Sequence, residues 1–284
     1  MSLSAFPYPG GKTPYWKQII QHFPDHRRYV EPFGGGAAVL LNKPESYIEV
    51  YNDIDDDVVH FFRVVRERCD ELKDWLRCVP FSEDVHDRWA REFFDGYRPE
   101  DDIERAGRWF FLRYAQFGAA LDRKSGFKRS GKRNEARSFR GGIEALDEVV
   151  DRLQEVTIAN EDYRDILNRY DGVDTLFYLD VPYVDVGDRY YNHHGTFDHQ
   201  QLFERLWAVE GDWIVSYGEL PDVPVPKEFI DVVEIRDFTA HYSLNAVEGR
   251  GREESAERLV MNFDPSETPS FSRVEQSTFE EVLG

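Results

Sequence analysis

The amino-acid sequence predicts an α/β fold in which an open β-sheet is interrupted by a block of helices, and three observations indicate it. A short strand at residues 28–33 runs into a glycine-rich turn, as at the first turn of a dinucleotide-type sheet. Helical periodicity without an intervening strand fills residues 56–118. A β-prone run at 177–179 stops abruptly at Asp180. In such sheets ligands bind outside the carboxyl ends of the strands, so a functional site is expected there.

The composition limits the classes of function. The 284 residues carry a formal net charge of −20, which argues against nonspecific attraction to nucleic acid or to anionic membranes. With 27 Arg and only 8 Lys, the chain is typical of a halophilic protein, although an ordinary acidic protein is the alternative. Cys69 and Cys78 are interpreted as reduced thiols, and neither a signal peptide nor a membrane-length apolar run is visible. A cytoplasmic protein is therefore expected.

Near the amino terminus, Gly10, Gly11 and Lys12 invite comparison with a phosphate-binding loop, but the pattern fails. A Walker loop needs a glycine where Phe6 stands and a strand in front of it, so a nucleoside triphosphatase is excluded. The glycines still allow the backbone to approach a ligand closely, and Lys12 supplies a cation. A flexible leader with a solvated lysine explains the string equally well.

After the strand at 28–33, the glycines are followed by small and apolar residues that predict the start of a helix. A second strand at 47–51 comes shortly before Asp53. In dinucleotide-type folds, an acidic residue at the end of the second strand holds ribose hydroxyls, so Asp53 is predicted to bind a ribose. A solvated loop is the alternative for Asp53.

Four short strings follow one another along the chain. They are Pro9-Gly10-Gly11-Lys12, Glu31-Pro32-Phe33 with Gly34 to Gly36, Asn52-Asp53-x-Asp55, and Asp180-Val181-Pro182-Tyr183. In this order and at these separations they resemble the Dam-like (D12 class) adenine-N6 DNA methyltransferases. The resemblance covers roughly residues 6–58 and 155–263. It implies a Rossmann-like fold that uses S-adenosylmethionine, has a reversed last strand in a mixed sheet, and acts on a flipped adenine in duplex DNA.

The resemblance also implies which residues bind the cofactor. They are Tyr8, Gly11, Lys12, Glu31, Phe33, Gly34, Gly36, Asp53, Asp162 and Asp180. Asp162 is assigned to the amino group of the cofactor's adenine, with Asn160 or Glu161 as substitutes. A helix N-cap is the structural alternative for this position.

The implied catalytic residues are Asp180, Val181, Pro182 and Tyr183. The Asp180 side chain and the Val181 carbonyl are expected to accept the two amino hydrogens of the target adenine. Pro182 fixes the chain, and Tyr183 stacks on the extruded base. Direct methyl transfer needs no covalent intermediate, and neither cysteine has the context of a cytosine-C5 nucleophile. An RNA adenine-N6 or DNA cytosine-N4 methyltransferase, or a noncatalytic DNA-binding module, is the alternative.

Residues 121–141 form a basic island, with eight basic residues against two acidic ones. The basic residues are Arg123, Lys124, Lys128, Arg129, Lys132, Arg133, Arg137 and Arg140. The island is predicted to bind DNA phosphates and to offer Arg side chains to guanine edges, with a solvated loop as the alternative. The family's usual recognition-loop string is not matched here, so the resemblance does not assign a target sequence.

The resemblance and the periodicity divide the chain into a catalytic domain at 1–58 and 143–264, a helical target-recognition insertion at 59–142, and an acidic tail at 265–284. Expected partners are double-stranded DNA and, in a restriction-modification system, a cognate restriction endonuclease. A monomer without membrane contact is expected. No metal site is expected, because His193, His194 and His199 lack a carboxylate or cysteine at ligand spacing.

Overall fold

The structure is a computed structural model that describes residues 2–119, 123–182, 197–217, 225–227, 230, 232–241 and 254–267. Its strands are β1 (Arg28–Phe33), β2 (Ile48–Asn52), β3 (Val156–Ala159), β4 (Thr175–Asp180), β5 (Asp212–Tyr217), β6 (Glu234–His241) and β7 (Glu254–Met261). Its helices are α1 (Trp16–Ile20), α2 (Asp56–Cys78), α3 (Glu83–Phe94), α4 (Asp102–Ala115), α5 (Glu135–Glu144), α6 (Leu146–Leu153), α7 (Tyr163–Tyr170) and α8 (His199–Trp207). Most of the predicted acidic tail lies outside the described residues.

The strands form one sheet in the order β3-β2-β1-β4-β5-β7-β6. Strands β1 to β5 pair in parallel, whereas β7 runs antiparallel to both β5 and β6. The predicted α/β class with a reversed last strand is confirmed. Because β2, β1 and β4 are neighbours, Asp53, Gly34 and Asp180 follow adjacent strands at the same end of the sheet.

Both faces of the sheet are covered, which explains the nearly continuous apolar sequence of β4. Leu176 and Tyr178 face one apolar cluster, which includes residues of α2 and α4. Phe177 and Leu179 face a second cluster, which includes residues of α7 and α8. Successive strand residues point to opposite faces, so Asp180 falls on the face of Tyr178, toward the first cluster.

Helices α2 to α6 all lie between β2 and β3 along the chain. Helix α2 begins at its N-cap Asp55, whose side chain accepts a hydrogen bond from the Asp57 amide. The aromatic residues of α2 and α4 form core contacts; the ring centroids of Phe61 and Phe110, for example, lie 5.5 Å apart. These contacts continue into the sheet through Phe62 and Tyr51. The boundaries of the target-recognition insertion stay a prediction.

The helix predicted after the glycine-rich turn is wrong. Residues 34–43 form successive turns instead of a helix. Gly35 and Ala37 have positive φ angles of 46° and 54°, which are incompatible with a right-handed helix. Side chains stabilise the turns, since Glu31 accepts a hydrogen bond from the Leu40 amide and Asn42 donates one to the Ala38 carbonyl. The glycines therefore introduce a compact loop between β1 and β2.

Candidate active site

Asp180 ends β4 with its side chain 27% exposed, and the neighbouring strand fixes its orientation. In the parallel register of β4 and β5, Asp180 lies beside Ser216. The Ser216 hydroxyl donates to Asp180 Oδ1 at 2.8 Å, and the Tyr178 hydroxyl donates to Ser216 Oγ at 3.2 Å. The buried hydroxyls orient one oxygen of the carboxylate.

Lys12 provides the second contact of this carboxylate. Its Nζ lies 2.7 Å from Asp180 Oδ1 and donates to the Gly10 carbonyl at 3.2 Å. Lys12 is only 2% exposed, so the alternative of a solvated lysine is wrong. Gly10 has a φ of 71°, a conformation that favours glycine. Both contacts that the described residues make with Asp180 are to Oδ1.

The glycine-rich turn is packed between two tyrosines. A Cβ atom on Gly34 would lie 2.2 Å from Cε2 of Tyr51, and one on Gly35 would lie 2.8 Å from Cε1 of Tyr8. The Tyr51 hydroxyl donates to the Gly35 carbonyl at 2.8 Å. Glycine is therefore required at these positions by the close approach of the protein's own aromatic rings.

Asp53 holds the other side of this turn. Its Oδ2 accepts a hydrogen bond from the Gly35 amide at 2.7 Å, and its Oδ1 accepts one from the Asp55 amide at 2.8 Å. Burial, and then the nearby Asp55 carboxylate, raise the pKa of Asp53 to about 7. Asp53 is only 6% exposed, so its alternative as part of a solvated loop is wrong. Its assignment to a ribose stays a prediction.

Glu31 lies on β1 behind the glycine-rich turn. Its Oε1 accepts hydrogen bonds from the Tyr29 hydroxyl at 2.6 Å and from the Leu40 amide at 2.8 Å. Burial raises the pKa of Glu31 to about 8, well above its usual value of 4.5, even though both hydrogen bonds lower it. The described contacts of Glu31 are thus structural contacts within the loop.

Glu31→Gln tests this assignment through the pH dependence of stability. Because the folded pKa lies above the unfolded one, Glu31 binds a proton more tightly in the folded state. Its contribution to stability is complete below about pH 4.5 and is lost as the pH rises to about 8. The free energy of unfolding of the wild type should therefore fall relative to Glu31→Gln by about 3–5 kcal/mol across this range. Urea unfolding of both proteins from pH 5 to 8 measures the difference, and parallel curves would contradict the assignment.

The residues after β3 have local partners. Asp162 caps α7, accepting from the Arg164 amide, and pairs with the Arg164 guanidinium at 2.6 Å. Glu161 pairs with Arg169 at 2.6 Å, and Asn160 donates to the Asp53 carbonyl at 2.8 Å. Asp162 is therefore the N-cap of α7, as the structural alternative predicted. Asp162 remains partly exposed, and its contact with the cofactor's adenine stays a prediction.

Phe33 ends β1 beside an aromatic cluster. Its ring lies 5.2 Å from the ring of Tyr163 and 5.5 Å from that of Phe197.

Val181, one residue after Asp180, is 2% exposed and packs in the second apolar cluster. Tyr183, His193 and His194 lie outside the described residues. His199 Nδ1 forms a hydrogen bond with the Tyr217 hydroxyl at 3.1 Å.

The basic island divides into two groups. Seven of the eight basic residues are exposed, and Lys128 is half-buried. Five of the exposed residues form no ion pair and no side-chain hydrogen bond with the described residues and are called the exposed group: Arg123, Lys124, Lys132, Arg133 and Arg137. Three others have local partners: Lys128 pairs with Glu135 at 3.0 Å, Arg129 pairs with Glu83, and Arg140 donates to the carbonyls of Leu76, Arg77 and Val79 at the end of α2. The exposed group carries the charge that is available to a ligand.

Three polar residues near the site were not predicted from the sequence. Ser216 and Glu257 reach the Asp180 region from β5 and β7, and Glu257 Oε2 lies 3.8 Å from Lys12 Nζ. Arg113 on α4 is 1% exposed, and its Nε and Nη2 atoms have no hydrogen-bond partner among the described residues. The sequence marks these residues only indirectly: each is a polar residue at a position where the pattern predicts an apolar one. The pattern is the two-residue alternation of a strand for Ser216 and Glu257, and the helical period for Arg113.

In the parts of the chain that the structure describes, no three His, Cys, Asp or Glu side chains are grouped so that they would hold a metal ion. Likewise, none of the described helices combines the length and the apolar character needed to cross a membrane.

Comparison with known proteins gives one family and two relatives. The family model described as "D12 class N6 adenine-specific DNA methyltransferase" matches residues 8–218. The chain is 27% identical over 199 residues to the Type II methyltransferase M.MjaIII of Methanocaldococcus jannaschii, an alignment that covers 62% of this chain and 67% of the relative. It is 34% identical over 125 residues to the DNA N-6-adenine-methyltransferase of Escherichia phage P1, covering 38% of this chain and 14% of that protein.

Proposed function

The chain belongs to the D12 class of N6 adenine-specific DNA methyltransferases, which use S-adenosylmethionine, and from that premise we propose which of its residues carry out the transfer. Asp180 is the catalytic residue, oriented by Lys12 and Ser216. The observation that carries this proposal is the pair of contacts on Asp180 Oδ1, at 2.7 Å from Lys12 and 2.8 Å from Ser216. With Oδ1 held by these contacts, Oδ2 is the oxygen proposed to accept an amino hydrogen.

The residues at this end of the sheet fit S-adenosylmethionine. The Asp53 carboxylate takes two amide hydrogen bonds on different oxygens, so each oxygen keeps a lone pair for a hydroxyl group. The left-handed backbone at Gly35 lets the chain approach a ligand, and Phe33 offers a flat ring. When bound, the cofactor supplies a methyl group activated by a positively charged sulfur. Asp53, Phe33, Gly34, Gly36, Tyr8 and Asp162 are the residues proposed to hold it.

The chemical difficulty lies in the adenine, because the lone pair of N6 is delocalised into the ring. An acceptor that binds an amino hydrogen favours the pyramidal nitrogen of the transition state over the planar ground state. Asp180 accepts one amino hydrogen and the Val181 carbonyl accepts the other. Pro182 restricts the backbone between Val181 and Tyr183, and Tyr183 stacks on the base. As the N6–methyl bond formed and the sulfur–methyl bond broke, N6 would become positively charged and would then lose one hydrogen as a proton to solvent; Asp180 would stabilise that charge.

The reaction is tested by incubating the purified protein with duplex DNA and S-adenosylmethionine labelled in the methyl group. Digestion of the DNA to nucleosides, followed by mass spectrometry, should give N6-methyladenine as the labelled product. N4-methylcytosine, or label in RNA alone, would contradict the proposed substrate. Sequencing the methylated DNA for modified adenines gives the target sequence in the same experiment.

We propose that the exposed group of the basic island binds DNA phosphates, and Lys132 and Arg133 provide the test. Replacing both with serine should lower the slope of log affinity against log salt by about 2, since each phosphate contact contributes about 0.9. Arg140→Ala is the matched control, because Arg140 is oriented toward the carbonyls at the end of α2. It should lower the melting temperature and leave the slope unchanged. Fluorescence anisotropy from 50 to 300 mM KCl measures the slopes; equal slopes in all three proteins would contradict the assignment.

The remaining proposals concern partners and conditions. We propose a monomer, because Lys12, Asp180 and Asp53 all come from one chain. A cognate restriction endonuclease is proposed because the relative from Methanocaldococcus jannaschii is named a Type II methyltransferase. A cytoplasmic location is proposed on the ground that both cysteines are free thiols. Tolerance of concentrated salt stays a prediction from the acidic composition.

A further inference from the structure

We infer that Glu257 is a positioning residue for methyl transfer, which supplies a second, buried carboxylate beside Lys12 and adds negative charge where Lys12 holds Asp180. This inference rests on the proposed function, because it assigns Glu257 a role at the proposed methyl-transfer site.

Glu257 interrupts an apolar face of β7. Leu259 and Met261, which follow at two-residue spacing and so share its face, are fully buried in the first apolar cluster. Glu257 is also 0% exposed. A buried carboxylate is costly unless a cation or hydrogen bonds compensate it. Packing alone would place an apolar residue here, so the charge of Glu257 requires a separate explanation.

One partner of Glu257 is the lysine that contacts Asp180. Glu257 Oε2 lies 3.8 Å from Lys12 Nζ, and the same Nζ lies 2.7 Å from Asp180 Oδ1. The two carboxylates come from strands β7 and β4, which are separated by β5 in the sheet. The lysine, from the amino-terminal turn, is thus held between two strands. An ammonium is compact, and one can bind both carboxylates at once.

The charges of the three groups give the reason for this arrangement. Lys12 and Asp180 alone form a neutral pair, which attracts neither a sulfonium cation nor the positive charge that develops on N6. With Glu257 the group carries a net charge of −1 while Lys12 still orients Asp180. At an effective dielectric constant of about 20, one unit charge changes the affinity for a cation at the same site by about tenfold.

Comparison of two ligands tests the inference directly. S-Adenosylmethionine carries a positive sulfur, whereas S-adenosylhomocysteine has the same adenosine and amino-acid groups around a neutral sulfur. In Glu257→Gln, isothermal titration should show an affinity about tenfold lower for S-adenosylmethionine and changed by less than about twofold for S-adenosylhomocysteine. Glu49→Gln is the control, because Glu49 is likewise buried and paired with Lys43 and Arg152, but lies on β2, which is not adjacent to β4. The ratio of its affinities for S-adenosylmethionine and S-adenosylhomocysteine should equal that of the wild type.

Equal losses for both ligands in Glu257→Gln, or no loss for either, would overturn the inference and indicate a purely structural glutamate. If this variant does not fold, Glu257→Leu makes the same comparison, because an apolar residue suits this buried face of β7. Its affinity should fall about tenfold for S-adenosylmethionine and by less than about twofold for S-adenosylhomocysteine, and equal changes for both ligands would overturn the inference. The proposed function fails separately: it is contradicted if the wild type binds the cofactor but does not methylate duplex DNA.

Discussion

Methyl transfer to duplex DNA should fall by about 10²- to 10³-fold or more in Asp180→Ala, while the affinity for S-adenosylmethionine should fall much less. The substitution removes the acceptor for an amino hydrogen of adenine and the negative charge that the transition state requires. It also removes the partner of Lys12, which is only 2% exposed and would be left beside Glu257. Single-turnover rates with labelled cofactor measure the chemical step separately from binding.

Asp180→Asn and Ser216→Ala separate the contributions to this loss. Asparagine keeps an oxygen for the Ser216 hydroxyl but loses the charge, so its rate should be close to that of Asp180→Ala. Ser216→Ala keeps the charge and removes the hydroxyl that lies 2.8 Å from Oδ1, and a loss of about tenfold is expected. Thermal melts confirm that each variant is folded. A folded Asp180→Ala protein with wild-type turnover would contradict the assigned role of Asp180.

The features that the sequence predicts correctly are those encoded locally. The strand that ends at Asp180 follows from an apolar run of β-prone residues that stops at an acidic residue before a proline. The buried aromatics of α2 and α4 follow from helical spacing. The reversed last strand is a different case, because it was implied by the resemblance of four motifs to a known family and by no local pattern.

The residues around Asp180 illustrate what the sequence leaves open. Ser216, which contacts Asp180, and Glu257, which contacts Lys12, lie 36 and 77 positions after Asp180, and the sheet order β4-β5-β7 brings them to this site. Strand order is set by long-range pairing, which the period of a single segment does not encode. For Lys12 the sequence allowed both a ligand-binding and a solvated side chain. Contact with a residue 168 positions away decides between them.

The loop after β1 shows the same limit for backbone conformation. Small and apolar residues after a glycine-rich turn are typical of a helix start, but the left-handed conformations at Gly35 and Ala37 prevent one. Tyr8 and Tyr51, distant in sequence, pack against these residues and select the turn. Local preference was overruled by tertiary contacts, which occurs most readily in short segments rich in glycine.

Gly34→Ala should lower both stability and cofactor affinity, because the new Cβ atom would lie 2.2 Å from Cε2 of Tyr51. The Tyr51 ring has little room to withdraw: it is 1% exposed, packs on Phe62, and donates its hydroxyl to the Gly35 carbonyl. The backbone turn must therefore move. Such overpacking costs about 1–3 kcal/mol of folding free energy. Because Asp53 and the glycine-rich turn are joined by a hydrogen bond, affinity for S-adenosylmethionine should fall about 10- to 100-fold.

Gly141→Ala is the matched control, because it makes the same replacement of glycine by alanine at a position with open space. Gly141 lies in α5, and a Cβ atom there would meet no other atom within 4 Å. Alanine at this helical position should raise the free energy of unfolding by about 0.5–1 kcal/mol and leave cofactor affinity unchanged. If the turn is packed as described, urea unfolding should show changes in the free energy of unfolding of opposite sign for Gly34→Ala and Gly141→Ala. Isothermal titration should show a lower cofactor affinity for Gly34→Ala alone. Wild-type cofactor affinity in a folded Gly34→Ala protein would show that the turn after β1 does not position the cofactor.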